Sequence, residues 1–470
     1  ITIMVNYYYN NCTRGGLFMV TRKTLKLLSA VLALVMLMTS FAYAAPVHKD
    51  IFKEVSGDNI YNHIAVLAGT DDARLTGSEG EAAAAEYIAG QMAGYGLKIE
   101  RQQFPVVYFK DNGAELKITS PEVKNLEVQN FSYTPSTSGD GLTAQLVDAG
   151  FGSAEEFAGV DVRGKIALIK RGYYTFYDKT QNAAAAGAIG VIIFNREPGF
   201  IGGTLGDVTD IPAAEVKGEV GEELRAMLAS GQSITVNMKV STVIRDSFSQ
   251  NIIGVLKAER GSKDAQTIVI GAHYDSVDTP GANDNASGTA ALLEVARVLS
   301  TQKLAYNLKF IAFGAEEAGL IGAYNYVEGL SQEQLDNTAA MINMDMVGVG
   351  DKVGIMTLAE DSDSFIADLA EVYLNKFNLA YDRSASDASD HAPFEEYGVP
   401  VVFFDYHDDP YYHTDADSTD KISKTNLYNI GTLVTAMTYD IAKTPMPKSK
   451  KGLKAKVNKY KFKNPEIAAE

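Results

Sequence analysis

At 470 residues the chain exceeds the ~250–300 at which one hydrophobic core stops growing, so two folded units are expected. A hydrophobic content of 46% is ordinary for a globular protein, and a formal charge of -17 argues against a nucleic-acid partner, because a phosphate backbone calls for a basic surface.

The first patterned segment is amino-terminal. Arg22, Lys23 and Lys26 precede an almost wholly apolar run from Leu27 to Phe41, and Ala42-Tyr43-Ala44 follows. That order reads as a secretory signal peptide cleaved near Ala44 or Ala45; as a membrane anchor the run falls short of the ~20 residues needed to span a bilayer. Residues 1–18, upstream of Met19, show no periodicity and are set apart as an upstream extension. The single cysteine, Cys12, would leave with the signal, so a secreted protein, extracellular or cell-wall associated, is expected to rely on packing and metal rather than disulfides.

From Asp50 to Met92 the chain reads as helical, with Ile60, Ile64 and Leu67 on one face and Ala82–Ala85 favouring helix. Leu75-Thr76-Gly77-Ser78-Glu79-Gly80 forms a turn between the helices, and alternation from Leu97 to Val107 predicts a strand. Residues 126–243 differ in texture: short strands at Lys165–Lys170 and Gly190–Phe194, glycine turns and an alanine-rich helix near Gln181–Ala188. The order Val162-Arg163-Gly164-Lys165-Ile166, then Asn182-Ala183-Ala184-Ala185-Ala186-Gly187-Ala188, then Ile211-Pro212-Ala213-Ala214 resembles the protease-associated (PA) domain, an insert of peptidases. Nothing in it has the spacing of metal ligands or a nucleophile, so it reads as a packing and substrate-access module.

From Asn251 onward short apolar strands alternate with amphipathic helices, a pattern that builds a largely parallel sheet covered on both faces, with its chemistry at the carboxyl ends of the strands. His273-Tyr274-Asp275 follows the strand Thr267–Gly271; a held, neutral imidazole is a zinc ligand, and Asp275 can orient it through the other ring nitrogen. Asp284, in the turn Gly281-Ala282-Asn283-Asp284-Asn285-Ala286-Ser287-Gly288, stands where one carboxylate could bridge two metals, although taken alone a helix cap is the better reading. Glu316 and Glu317 follow the strand Leu308–Gly314. Adjacent carboxylates among small and apolar residues lose charge unless a cation compensates, and a metal could bind one while the other takes a proton. Asp345 lies within the apolar segment Ala340–Val347, where burial without a partner is costly. Tyr412 and His413 follow the strand Val399–Phe404. Of the six histidines, His48 and His63 are amino-terminal, and spacing does not separate His407 or His391 from the ligand candidates.

Taken in order, these motifs resemble the M28 family of zinc peptidases over residues 48–125 and 245–445. The turn at Leu75–Glu81, Ser389-Asp390-His391-Ala392-Pro393-Phe394 and Gly398-Val399-Pro400 also look like that family. The resemblance implies an α/β fold with a mostly parallel central sheet flanked by helices (zinc-peptidase fold), split into residues 46–125 and 244–445 by a β-rich PA insert. It implies two Zn2+ ions: His273 and Asp345 on one, Glu317 and His413 on the other, and Asp284 bridging. Glu316 would be the general base and Tyr412 would donate a hydrogen bond to the developing oxyanion. A cis peptide between Asp284 and Asn285 is implied as well. Residues 446–470 are a lysine-rich tail, read as solvated, with a cell-surface contact as the alternative.

The expected activity is that of a secreted metallo-aminopeptidase acting on peptide or protein substrates. A carboxypeptidase or a single-zinc glutaminyl cyclase of the same fold is a rival, though the full ligand set disfavours the cyclase. A non-catalytic binding protein would have no use for Glu316 beside Glu317.

Overall fold

The computed structural model describes residues 51–69, 73–259 and 265–443; the signal peptide, Cys12, His48 and the lysine-rich tail lie outside the described residues. Two helices come first. In α1 (Gly57–Leu67) Ser56 caps the start by accepting from the Asn59 amide, and Ile60, Ile64 and Leu67 are buried together, as their spacing predicts. In α2 (Glu79–Gly94) Ser78 is the cap, accepting from the Glu81 amide.

Strand β1 (Lys98–Ser120) extends well beyond the predicted end at Val107, because its ladder with the equally long β8 (Thr235–Leu256) continues from Lys98↔Val255 to Ser120↔Thr235. The chain therefore leaves for the insert and returns on one antiparallel ribbon. Between the two lie β2 (Lys124–Leu126), β3 (Gln129–Asn130), β4 (Leu142–Asp148), α3 (Ala154–Ala158), β5 (Ile166–Lys170), α4 (Phe176–Ala185), β6 (Gly190–Phe194), β7 (Ala213–Val216) and α5 (Gly218–Ala229). Strands β4 to β7 pair in parallel, and β4 joins the amino-terminal half of β8. Alternation along β5 and β6 builds a core on each face: Ile166, Leu168 and Ile192 turn to one side, Ala167, Ile169, Val191 and Ile193 to the other. The helix expected near Gln181–Ala188 starts earlier, at Phe176. Thr175 caps it by accepting from the Asp178 amide, and Gly187, at φ +92°, lies just beyond its end.

The remaining elements are β9 (Thr267–His273), α6 (Gly288–Ser300), β10 (Asn307–Phe313), α7 (Ile321–Glu328), α8 (Gln332–Asp336), β11 (Thr338–Met344), β12 (Val353–Thr357), α9 (Phe365–Phe377), β13 (Tyr381–Ala385), α10 (His391–Glu396), β14 (Val401–Tyr406) and α11 (Lys424–Lys443). The strand order is β13-β12-β14-β11-β9-β10-β8. Strands β14, β11, β9 and β10 are parallel neighbours, flanked by antiparallel β12 on one side and β8 on the other. Val269, Ile311, Phe313, Met341 and Val401 pack against Ala323, Tyr326 and Val327 of α7 and Phe394 of α10. On the opposite face α1, α6 and α11 pack together, and α6 is buried almost all round. The alternation of strand and helix predicts this layering. It does not reveal β12 and β13, short strands whose pattern is indistinct between acidic and glycine-containing loops.

Candidate active site

The parallel strands deliver the predicted residues to one end of the sheet. His273 is the last residue of β9, Glu316 and Glu317 lie three and four residues past β10, Asp345 follows the final residue of β11 rather than lying inside it, and His413 is on the loop after β14. His273 Nε2 is 3.2 Å from Asp345 Oδ1 and 3.3 Å from Asp284 Oδ1. The second oxygen of Asp284 lies 3.1 Å from His413 Nε2, which is also 3.3 Å from Glu317 Oε2. One carboxylate thus faces both imidazoles. Glu316 Oε2 is 3.9 Å from His273 Nε2, on the His273 and Asp345 side. The Tyr412 ring stacks on His413, centroids 3.8 Å apart, and is half exposed.

Buried hydrogen bonds fix these side chains. The turn carrying Asp284 is held by Asp417, which accepts from the amides of Asn283 (2.7 Å) and Asp284 (3.0 Å), and the Asp284–Asn285 peptide is cis. Asp284 does not cap α6: it is Asn285 Oδ1 that accepts from the Gly288 amide. The Ser389 hydroxyl donates to Asp345 Oδ2 and accepts from Asn343 Nδ2. Asp275 differs from the expectation. The backbone oxygen of Asp275 lies nearer His273 Nδ1 (3.2 Å) than its carboxylate does (3.5 Å). That carboxylate accepts instead from the amides of Glu316 and Glu317 and from the Thr76 hydroxyl.

Arg74 is a fully buried cation whose guanidinium donates to the carbonyls of Leu67, Tyr274, Pro280 and Gly281. It ties the exit of β9 to the turn that carries Asp284. Burial pushes its pKa down to about 10, against the surrounding charges of Asp275, Asp284, Asp417 and Glu317.

Electrostatically the pocket is an excess of carboxylate. Burial raises Glu316 well above the usual range, with His273 opposing and Glu317, Asp345 and Asp390 adding, and burial with the charge of Asp284 brings Glu317 up to about 7. Burial alone would lower both imidazoles, yet Asp345 and Glu316 hold His273 high, and Asp284 and Glu317 bring His413 up to about 10. Asp284 is itself pushed up by burial and pulled further down by the two histidines. Buried Glu317 Oε1 has no hydrogen-bond partner. A donor set of two imidazoles and three carboxylates, with an orphaned oxygen and uncompensated negative charge, fits zinc.

The rival histidines are elsewhere. His391 is buried, lies tilted against Phe403 and has Nε2 2.8 Å from the Ser386 carbonyl; His407 pairs with Asp405, and His63 with Tyr87. Sequence reasoning assigned no role to Arg74, Thr76, Ser389 or Asp417. The turn at Leu75–Glu81 and Ser389-Asp390-His391 carried the signal only as a family likeness, since no local pattern says where an arginine in a loop will point.

Residues 251–438 match the family model of peptidase family M28, and residues 142–224 that of the PA domain. The chain is 35% identical to aminopeptidase YwaD of Bacillus subtilis (strain 168), over 85% of this chain and 88% of that one. It belongs to peptidase family M28. Among solved structures, an aminopeptidase from Aneurinibacillus sp. strain AM-1 superposes with a TM-score of 0.76 at 36% identity, covering 84% of this chain and 96% of its own. BSAP, a zinc aminopeptidase from Bacillus subtilis, gives a TM-score of 0.70 at 34% identity, covering 84% and 97%. This M28 chain is a zinc-dependent exopeptidase with a PA domain set within its peptidase region.

Proposed function

We propose that the chain is a secreted aminopeptidase that hydrolyses amino-terminal peptide bonds with a pair of zinc ions. The observation that carries this reading is Asp284, whose two oxygens face His273 Nε2 at 3.3 Å and His413 Nε2 at 3.1 Å. His273, Asp345 and one oxygen of Asp284 would hold one ion; His413, Glu317 and the other oxygen would hold its neighbour. When bound, the pair supplies Lewis acidity, which acidifies water and offsets charge on the peptide carbonyl oxygen.

Glu316, whose carboxylate lies with His273 and Asp345 in one group of candidate donors and 3.9 Å from His273 Nε2, takes the proton of the attacking water and returns it to the leaving amine. Burial and neighbouring carboxylates raise its proton affinity, as that exchange requires. Tyr412, stacked on His413 at the open side, donates a hydrogen bond from its hydroxyl to the oxyanion that forms on attack. Residues 46–125 and 244–445 form the peptidase part and 126–243 the insert, which the ribbon of β1 and β8 joins to it. Export rests on the signal-like pattern of residues 22–44, and the lysine-rich tail, 446–470, is a candidate for contact with the cell surface.

Amino-acid anilides with free and acetylated amino groups test the activity. Only the free series should be cleaved; equal cleavage of both would refute an aminopeptidase.

A further inference from the structure

Glu81 has no part in the chemistry above, yet it is buried in the first turn of α2, directly behind the loop that carries Glu316. Its Oε2 accepts from the Gly77 amide at 2.6 Å and its Oε1 from the Ser249 hydroxyl at 2.5 Å. The amide of Ala315 donates to the same carboxylate. One side chain therefore joins three segments: the turn before α2, strand β8, and the loop from β10 to α7.

That loop is strained where Glu81 grips it. Ala315 sits at φ +56°, the left-handed region that a residue with a Cβ avoids unless its surroundings hold it there. At Gly314 the backbone lies so close that a Cβ would stand 2.3 Å from Ser249 Oγ and 2.9 Å from Glu81 Oε1. The next two amides, of Glu316 and Glu317, donate to Asp275 at 3.0 and 3.2 Å. Three consecutive backbone N–H groups are thus aimed at buried carboxylates.

Asp275 also lies against His273, so changing it would disturb the metal ligands directly. Glu81 hydrogen-bonds Gly77, Ser249 and Ala315, none of them in the proposed ligand set. We propose that Glu81 is a positioning residue for proton transfer, fixing the Gly314–Ala315 turn and through it the place of the Glu316 carboxylate. The proposal rests on the reading of Glu316 as the general base.

The test is steady-state kinetics on Glu81→Gln, Glu81→Ala and Glu316→Gln, each with zinc content and melting temperature measured on the same preparation. The amide of Glu81→Gln keeps the shape but loses one acceptor oxygen, so one N–H faces an NH2 group. Glu81→Gln should lower kcat roughly 10–100-fold at unchanged KM and zinc content, as expected when a reacting group is displaced by a fraction of an ångström to one ångström, and Glu81→Ala should lower it further. Should the Glu81 variants fail to fold, Ser249→Ala, which removes a single contact to the same carboxylate, should lower kcat in the same direction by less.

A zinc-replete variant with kcat within about two-fold of the parent would overturn the proposal, as would an activity loss accounted for wholly by lost zinc. If Glu316→Gln stays active, the assignment of the base falls and this inference with it. If Glu316→Gln is dead while Glu81→Gln is fully active, only the role of Glu81 falls.

Discussion

At the scale of single residues the site is a set of titratable groups whose environments assign different tasks to like side chains. Glu316 and Glu317 are adjacent, and only Glu317 reaches an imidazole within 3.3 Å. Replacing Glu316 by Gln should therefore abolish turnover, by roughly three orders of magnitude or more, while zinc remains bound; retained turnover in a zinc-loaded variant would refute its assignment. His391 gives a prediction in acid. Burial lowers its pKa from 6.5 to about 4, so the unfolded chain binds this proton first as pH falls, and stability is lost between pH 6.5 and 4. The full effect is about 3 kcal/mol, and His391→Gln should flatten the decline of unfolding free energy over that window in denaturant titrations. An unchanged slope would contradict it.

Some of the chemistry-bearing residues are legible in the sequence because each is hard to explain otherwise, whereas Asp284, which taken alone reads as a helix cap, and His413, which spacing does not separate from His407, stand out only through the family resemblance. Asp345 interrupts apolar residues, the Glu316–Glu317 pair follows an apolar strand, and His273 stands at a strand end. Arg74, Thr76 and Glu81 are not legible, because a polar residue near a turn is ordinarily solvated. Their roles depend on which carbonyls and amides converge on them after folding.

At the scale of elements, position is set by how closely backbones approach. In α7 a Cβ added at Gly322 would lie 2.2 Å from the Gly314 carbonyl oxygen and 2.5 Å from Asn251 Oδ1. The helix must therefore carry glycine where it crosses the loop that presents Glu316. Gly322→Ala is expected to destabilise by about 1–3 kcal/mol, read as a lower urea midpoint, and to reduce kcat through the same loop; an unchanged midpoint would show that the loop yields freely. Element order was recoverable from the alternation of apolar strands with amphipathic helices. The reach of β1 and β8 was not. Their outer ends alternate cleanly, burying Leu116, Ile118, Val236, Met238 and Val240 in the core of the insert, but the middle, residues 107–113 of β1 and 241–248 of β8, buries no side chain and leaves Val243 and Phe248 exposed. The length of that ribbon depends on a pairing between segments more than a hundred residues apart.

At the scale of the whole molecule, a crowded set of carboxylates is expensive to bury in the absence of cations, so metal binding and folding should be linked. A chelator is expected to lower the melting temperature as well as the activity, with up to about 4 kcal/mol at stake when free zinc stands a thousandfold above its dissociation constant. Equal melting with and without chelator would separate the ions from the stability of the fold.

The central claim is that Asp284 joins two ions in one pocket. Elemental analysis of the purified protein tests it most directly. Two zinc ions per chain are expected, with Asp284→Ala holding fewer than one; a single zinc per chain, retained when Asp284 is replaced, would rule out a shared ligand.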